Sequence, residues 1–412
     1  MEFDEHREAM VAQLLERGEV SDRVAEGFRL VPRHLFLPEF DPAAAYRDEP
    51  IVTKRDEEGR PISSSSQPAI MGIMLDQLDV RPGDRVLEIG AGTGYNAALL
   101  AYLAGPEGRV VSVDIDADVV AAARRHLDAA GCPEVVVACA DGAAGFPDAA
   151  PYDRVIATVG VWDLSPAWLA QLAPGGRLVV PLDLRGVQVS VAMEYAGDHW
   201  SSRSVEPCGF MRMRGPSAGP EVMLMLDGEA DLMLTLPEPR EVGDVLAMLD
   251  GPAAELAAGV PPLPRMSLMG GGIGLWLAMH EPRWCALTGR LPWAPVATQG
   301  YGMTVGLTGP DGLAVLAAGQ ELLARGSRPG GAGQERLGRG SGPGEAGQEL
   351  LVRGYGPDGA GLAAELAAHV QAWDAAGRPE AGDLRIDAYP GPAPDGMVVI
   401  AKRHTRLVLS YD

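Results

Sequence analysis

The sequence predicts a doubly wound α/β domain followed by a smaller α+β domain. Three observations predict it. Short, continuous apolar runs alternate with helical segments between residues 85 and 181, a glycine cluster separates the first run from the helix behind it, and the character of the chain changes beyond about residue 216. Uninterrupted apolar strands alternating with helices are the pattern of a parallel sheet covered on both faces. Right-handed crossovers then wind the chain on both sides of that sheet. With 412 residues, 47% of them apolar, the chain exceeds one ordinary domain. The division is expected at 215/216, giving domains of residues 1–215 and 216–412.

Residues 1–45 read as helical, with Met10, Leu14 and Leu15 on one face and Val24, Phe28 and Leu30 following. Two prolines bound the phrase Val31 to Pro38, and the densely charged stretch from Lys54 to Arg60 reads as an exposed loop. The helix opening at Pro68 carries Ile70, Met71, Met74, Leu75 and Leu78 on one face. Strands are expected at 85–89, 109–114, 135–138, 153–157 and 176–181, with helices at 95–103 and 117–130 between them. Val187 to Tyr195 and the segment after Trp200 read as antiparallel strands at one edge.

In the second domain a helix is expected at 242–249, and Gly270 to Met279 reads as a glycine turn leading into a buried strand. An Ala-Gly-Gln-Glu unit recurs at 318, 332 and 346, inside a Gly-rich insert spanning about 319–358. Such a composition buries too little apolar surface to offset its ordering entropy, so 326–346 is expected to be mobile. The runs 397–401 and 406–410 read as a strand pair closing the second domain.

A net charge of -22 repels phosphates and anionic lipid, which excludes nucleic acid and membrane surfaces as expected partners. The cysteines, Cys132, Cys139, Cys208 and Cys285, form no CxxC pair, and no His cluster has metal-ligand spacing. Reduced thiols, no metal and a cytoplasmic location are the expectation. The acidic start does not read as a signal peptide, and no apolar run is long enough to span a bilayer.

Glu88-Ile89-Gly90-Ala91-Gly92-Thr93-Gly94 lies between a predicted strand and a predicted helix. Glycines there let the backbone turn sharply and approach a ligand. A dinucleotide loop beginning at Gly90 would need glycine at 95, which is Tyr, and no Gly-Lys-Ser/Thr follows as a phosphate loop requires. The arrangement resembles the S-adenosylmethionine-binding loop of Rossmann-like methyltransferases. Asp114 ends the second strand, where a carboxylate can accept hydrogen bonds from both ribose hydroxyls. Ile115 follows it, and Asp116 is expected to cap the next helix. Asp141-Gly142 follows the third strand; the resemblance implies that such an Asp reaches the adenine amino group and that the next N–H reaches a ring nitrogen. The expected cofactor-side residues are Glu88, Gly90, Gly92, Gly94, Asp114, Ile115, Asp141 and Gly142.

Four further phrases occur in one order: Val31 to Phe36, Ala45 to Asp48, Ser66-Gln67-Pro68, and Leu172 to Pro181. Together they resemble the protein-L-isoaspartate O-methyltransferase signature over roughly residues 5–215. The resemblance implies an S-adenosylmethionine-dependent O-methyltransferase, with S-adenosylhomocysteine as product and a peptide or protein bearing Asp or isoAsp as partner. In that family a Thr-Ile-Ser-Gln-Pro segment opens a helix beside the methyl donor. Ser64, Ser65, Ser66 and Gln67 match it here and are the candidate catalytic residues. A serine at a helix N-terminus would meet an anion with free N–H groups and a hydroxyl donor. A carboxylate is already ionised at neutral pH and needs no general base, so His34 is read as structural.

The charged stretch before Ser64 and the change of Thr-Ile-Ser to Ser-Ser-Ser depart from the family where the acceptor should sit. The appended domain is similar to variants encoded with ribosomally made peptides, which methylate an Asp that then closes to an aspartimide. Expected functions are thus, in order, carboxyl methylation of Asp in a dedicated peptide, general isoaspartyl repair, and small-molecule O-methylation. A non-catalytic binding protein is the reading from another class, opposed by the intact glycine loop and Asp114.

Overall fold

The computed structural model describes residues 2–57, 59, 61–227, 232–260, 271–298, 301–318, 350–394 and 398–411. The chain divides into two compact units. One comprises Met1–Leu182, Val189–Gly219 and Arg385–Ser410; the other comprises Asp183–Gln188, Pro220–Leu384 and Tyr411–Asp412.

The first unit opens with α1 (Glu2–Glu16), α2 (Asp22–Leu30) and the short α3 (Pro42–Ala45). Ser21 caps α2 by accepting from the Val24 N–H, and its own N–H and hydroxyl donate to Asp76. That ties α2 to α4 (Pro68–Leu78). Met71, Met74, Leu75 and Leu78 of α4 are buried together with Met10, Leu14, Val24 and Phe28. Ahead of α4, β1 (Ile51–Arg55) and β2 (Pro61–Ser65) form an antiparallel hairpin. Lys54 and Arg55 are thus strand residues, where the sequence suggested loop. The β-branched Ile51, Val52, Thr53 and Ile62 favour the extended pair, and charge on an edge hairpin is tolerated.

The central elements follow the expected alternation. They are β3 (Arg85–Ile89), α5 (Tyr95–Ala104), β4 (Arg109–Asp114), α6 (Ala117–Ala129), β5 (Val136–Cys139), β6 (Tyr152–Ala157), α7 (Pro166–Gln171), β7 (Leu172–Leu184), β8 (Val187–Tyr195) and β9 (Trp200–Pro207). The pairs β5–β4, β4–β3, β3–β6 and β6–β7 are parallel, and β8–β9 is antiparallel. Apolar strand residues such as Val86, Leu87, Val113, Val155 and Val179 are essentially inaccessible.

The antiparallel pair does not form the sheet edge. Leu384–Tyr389, Arg406–Tyr411 and Val398–Ala401 extend the sheet beyond β9 to ten strands. The C-terminal strand pair therefore joins the first sheet rather than closing the second. Alternation specifies which face a strand buries, not which open edge it pairs with, and β9 offers an unpaired ladder that these strands satisfy.

The second unit is built on an eight-stranded antiparallel sheet, with the helix Gly359–Ala375 packed against it. The expected helix at 242–249 is present as Val245–Leu249. The glycine turn and strand expected at 270–279 is instead a helix, Ile273–His280, with Ile273, Gly274, Leu275, Leu277, Ala278 and Met279 buried. A short all-apolar run carries no periodicity, so a buried strand and a buried helix look alike in sequence. Of the insert expected at 319–358, residues 319–349 lie outside the described residues, and so does the stretch 326–346. The tail of the third repeat, Leu350–Tyr355, is a strand of the sheet. Among the described residues no helix is long and apolar enough to cross a membrane.

Candidate active site

A cavity of about 440 Å³ opens in the first unit at the carboxyl ends of β3, β4 and β6, where doubly wound sheets bind ligands. Its floor is made by the glycine loop after β3, Asp114 and Ile115 at the end of β4, Asp141 and Gly142 after β5, and Thr158 and Val159 after β6. The β1–β2 hairpin with the following turn, and the segment 207–214, supply its walls.

Gly90 and Gly92 line the cavity, with φ of +102° and +51°. A Cβ at Gly90 would lie 2.8 Å from the Thr158 hydroxyl oxygen. Position 90 is closed to larger residues by both backbone and space. The Asp114 carboxylate orders the loop, since the Gly92 N–H donates to Oδ2 at 3.2 Å and the Asp116 N–H donates to Oδ1 at 3.1 Å. Ile115 is exposed at the cavity rim. Asp141 accepts from the Ala143 N–H at 2.9 Å, so it makes a turn as well as lining the cavity. A Cβ at Gly142 would lie 2.6 Å from Ile89 Cγ2, which keeps this wall at backbone thickness.

Two residues expected on the cofactor side do not line the cavity. Gly94, at φ +88°, caps α5 from behind the loop, where a Cβ would meet the Ala123 carbonyl at 3.2 Å. Glu88 is fully buried beneath the loop and accepts from Asn96 Nδ2 at 2.7 Å and from Ser112 Oγ at 2.5 Å. Burial pushes its carboxyl up to about 7, against the downward pull of those two hydrogen bonds. The letters of the motif placed Glu88 at a ligand; its side chain instead ties α5 to β4 through Asn96 and Ser112.

This buried carboxyl makes stability pH-dependent. From about pH 4.5 the unfolded chain ionises while folded Glu88 stays protonated until about pH 7. Folded-state stability therefore drops over that window, by roughly 3 kcal/mol at completion. Glu88→Gln removes the drop. Urea unfolding at pH 5 and pH 8 should find the variant gaining on wild type at the higher pH, whereas a constant difference would refute the assignment.

The serine run is held differently from expectation. Ser65 lies in β2 and is buried, Ser66 follows it, and Gln67 occupies the N-cap of α4. Ser66 thus stands one residue outside the helix start. The helix terminus is not open to an outside anion either. Asp48 accepts from the Ala69 N–H at 2.9 Å and from Gln67 Nε2 at 3.2 Å, and pairs with Arg17 at 2.9 Å. A carboxylate of the chain's own therefore satisfies the dipole. Ser63, Ser64, Ser65, Ser66 and Gln67 all line the cavity.

Arg33 fixes the turn from behind. Its side chain is fully buried, and Nη2 donates to Ser65 Oγ at 3.2 Å and to the Ser66 carbonyl at 2.9 Å, while Nη1 donates to the Arg47 carbonyl at 3.3 Å. Burial holds its pKa below the usual arginine range. Sequence reasoning missed Arg33, Asp48 and the segment 207–214 as parts of the site. Phe210, Met211 and Met213 of that segment line the cavity. Backbone bonds to Gly160 hold it there, from the Gly160 N–H to Met211 O at 2.8 Å and from the Met213 N–H to Gly160 O at 2.9 Å. Its alternation of large apolar residues with Arg212 and Arg214 was the available signal. Asp116 sits at the N-cap of α6 as expected, yet its side chain makes no cap bond.

The family model described as protein-L-isoaspartate(D-aspartate) O-methyltransferase (PCMT) matches residues 5–216. A protein-L-isoaspartate O-methyltransferase of Methanoregula boonei is 38% identical over 212 residues, covering 52% of this chain and 94% of that protein. One of Thermotoga maritima is 39% identical over 172 residues, which cover 42% of this chain and about half, 54%, of the relative. A solved structure of a protein-L-isoaspartate O-methyltransferase shares the fold with a TM-score of 0.51 at 22% identity, covering 98% of this chain and 99% of that one.

Proposed function

The chain belongs to the protein-L-isoaspartate O-methyltransferase family, and from that premise we propose that it transfers a methyl group from S-adenosylmethionine to a carboxylate of an isoaspartyl residue in a protein or peptide. The observation that carries the reading is the single cavity lined by Gly90, Gly92, Asp114, Asp141, Gly142 and the turn Ser64 to Gln67. Its volume, about 440 Å³, lies within the range of small-molecule and cofactor sites. The bare backbone at Gly90 and Gly142 leaves space that a Cβ would fill.

S-Adenosylmethionine supplies an electrophilic methyl group on its sulfonium. The residues that would hold it are Gly90 and Gly92 through their backbone, Asp114 through the ribose hydroxyls, Ile115 along the rim, and Asp141 with Gly142 at the base. The acceptor carboxylate is ionised at neutral pH, with an ordinary pKa near ~4, so the chain contributes no general base. Its contribution is alignment and removal of water, which in favourable cases amount to roughly 7–11 kcal/mol. Ser64, Ser65, Ser66 and Gln67 present the acceptor, and Arg33 and Asp48 hold them in place. Phe210 and Met211 keep water from the transfer path.

A second reading, methylation of an ordinary Asp in one dedicated peptide, is favoured by a specific observation. The hairpin departs from the family in charge and in its serine run at the acceptor wall. The second unit does not decide between the two, because the fold likeness to a solved family member spans nearly the whole chain. A panel separates the readings: an isoaspartyl peptide, its aspartyl twin, and any short peptide encoded beside the gene, each followed by mass spectrometry for a methyl gained and then methanol lost, a net loss of water from the starting peptide. The isoaspartyl peptide should lead its twin by at least about tenfold in kcat/KM. Preference for the neighbouring peptide's Asp would replace the first reading with the second, and methylation of small acids alone would remove both.

A further inference from the structure

Asp116 lies two residues beyond Asp114 and outside the cavity lining, yet it touches both segments that wall the cavity. Lys54 Nζ, on the β1–β2 hairpin, donates to Asp116 Oδ1 at 2.9 Å and stands 3.6 Å from Asp118 Oδ2. Arg214 Nη2, at the end of the segment 207–214, donates to Asp116 Oδ2 at 3.2 Å. The Asp116 backbone N–H donates to Asp114, so the same residue joins these walls to the carboxylate assigned to the donor. Its side chain is 20% exposed, against 31% for Lys54 and 44% for Arg214.

We propose that Asp116 is a positioning residue, a two-cation clasp that closes the hairpin and the segment 207–214 over the cavity and thereby sets the rate of donor and product exchange. This rests on the donor-site reading above. Each half-exposed ion pair is weak by itself. One carboxylate holds two walls of one opening, however, so removing a single charge frees Arg214 and leaves Lys54 only its longer pair with Asp118. The helix-cap role that the sequence suggests does not compete, because Asp116 makes no side-chain bond to an α6 N–H. Lys54 is one of only two lysines in the chain, the other being Lys402, so the hairpin's pairing cation is not one drawn from a lysine-rich surface.

The test compares wild type, Asp116→Asn, Asp116→Glu and Lys54→Gln. Calorimetry and stopped-flow exchange with S-adenosylhomocysteine at low salt should give Asp116→Asn an affinity loss and faster release of about three- to tenfold. The loss should shrink toward wild type near 1 M salt, where screening removes the pairs. Asp116→Glu should recover most of it, and Lys54→Gln should show part of it. Amide hydrogen exchange on the unliganded proteins supplies a second readout: Asp116→Asn should speed exchange in the hairpin and in residues 207–214 together, leaving the β3–β4 core unchanged. Wild-type release rates in Asp116→Asn, a salt-independent loss, or faster exchange in only one wall would overturn the clasp. Were wild type to bind no S-adenosylhomocysteine, the donor reading would fall and the exchange pattern alone would decide for or against the clasp.

Discussion

Asp114→Ala is expected to abolish measurable binding of S-adenosylhomocysteine while leaving the fold intact. The Asp114 carboxylate has two duties in one place. It accepts from the Gly92 and Asp116 N–H groups, fixing the loop, and it faces the cavity where ribose hydroxyls would donate to it. Hydrogen bonds to a charged acceptor are worth about 1.5–3 kcal/mol each. Losing two corresponds to a hundredfold or greater rise in Kd, on the scale of about 1.4 kcal/mol per factor of ten. Asp114→Asn keeps one carbonyl oxygen but sets its amide against an N–H donor, so its loss should be intermediate. Calorimetric titration measures both. Wild-type affinity in Asp114→Ala would show that the ligand lies elsewhere.

Arg33→Met should strike the acceptor side and spare the donor. The substitution fills similar space but leaves Ser65 Oγ and the Ser66 and Arg47 carbonyls without their guanidinium donor. The buried acceptor among them, Ser65 Oγ, costs roughly 1–3 kcal/mol when stranded, partly offset by no longer burying a cation. A net destabilisation of about 2 kcal/mol is the expected outcome of urea unfolding. Methylation of an isoaspartyl peptide should slow by at least about tenfold through a misaimed acceptor, with S-adenosylhomocysteine affinity close to wild type. Arg33→Lys should not rescue, since one ammonium cannot span partners a guanidinium reaches as a fork. Unchanged kcat in a folded Arg33→Met protein would remove the turn from the reaction.

Much of this arrangement was legible in the sequence because it depends on local rules. The parallel core followed from apolar runs alternating with helices, and Gly90, Gly92, Asp114, Asp141 and Gly142 reach one cavity because strand ends in a parallel sheet share an edge. What was not legible is long-range. The pairing of Leu384–Tyr389 with β9 and the docking of residues 211–213 on Gly160 join positions that no local pattern links. Glu88 shows the limit within a motif, since β3 is covered on both faces and its side chain is buried along with its strand neighbours. At α4, serine chemistry suggested an open anion site, but Asp48, nearly twenty residues earlier, already fills it. The run Ile273–His280 is apolar on every side, so only its packing could reveal a helix.

The most direct test is a crystal structure grown with S-adenosylhomocysteine and an isoaspartyl peptide. The ribose hydroxyls should lie on Asp114, the adenine against Gly142, and the sulfur should face the peptide carboxylate across the Ser64–Gln67 turn. Density for the nucleoside outside this cavity, or a peptide carboxylate seated away from the serine turn, would contradict the account.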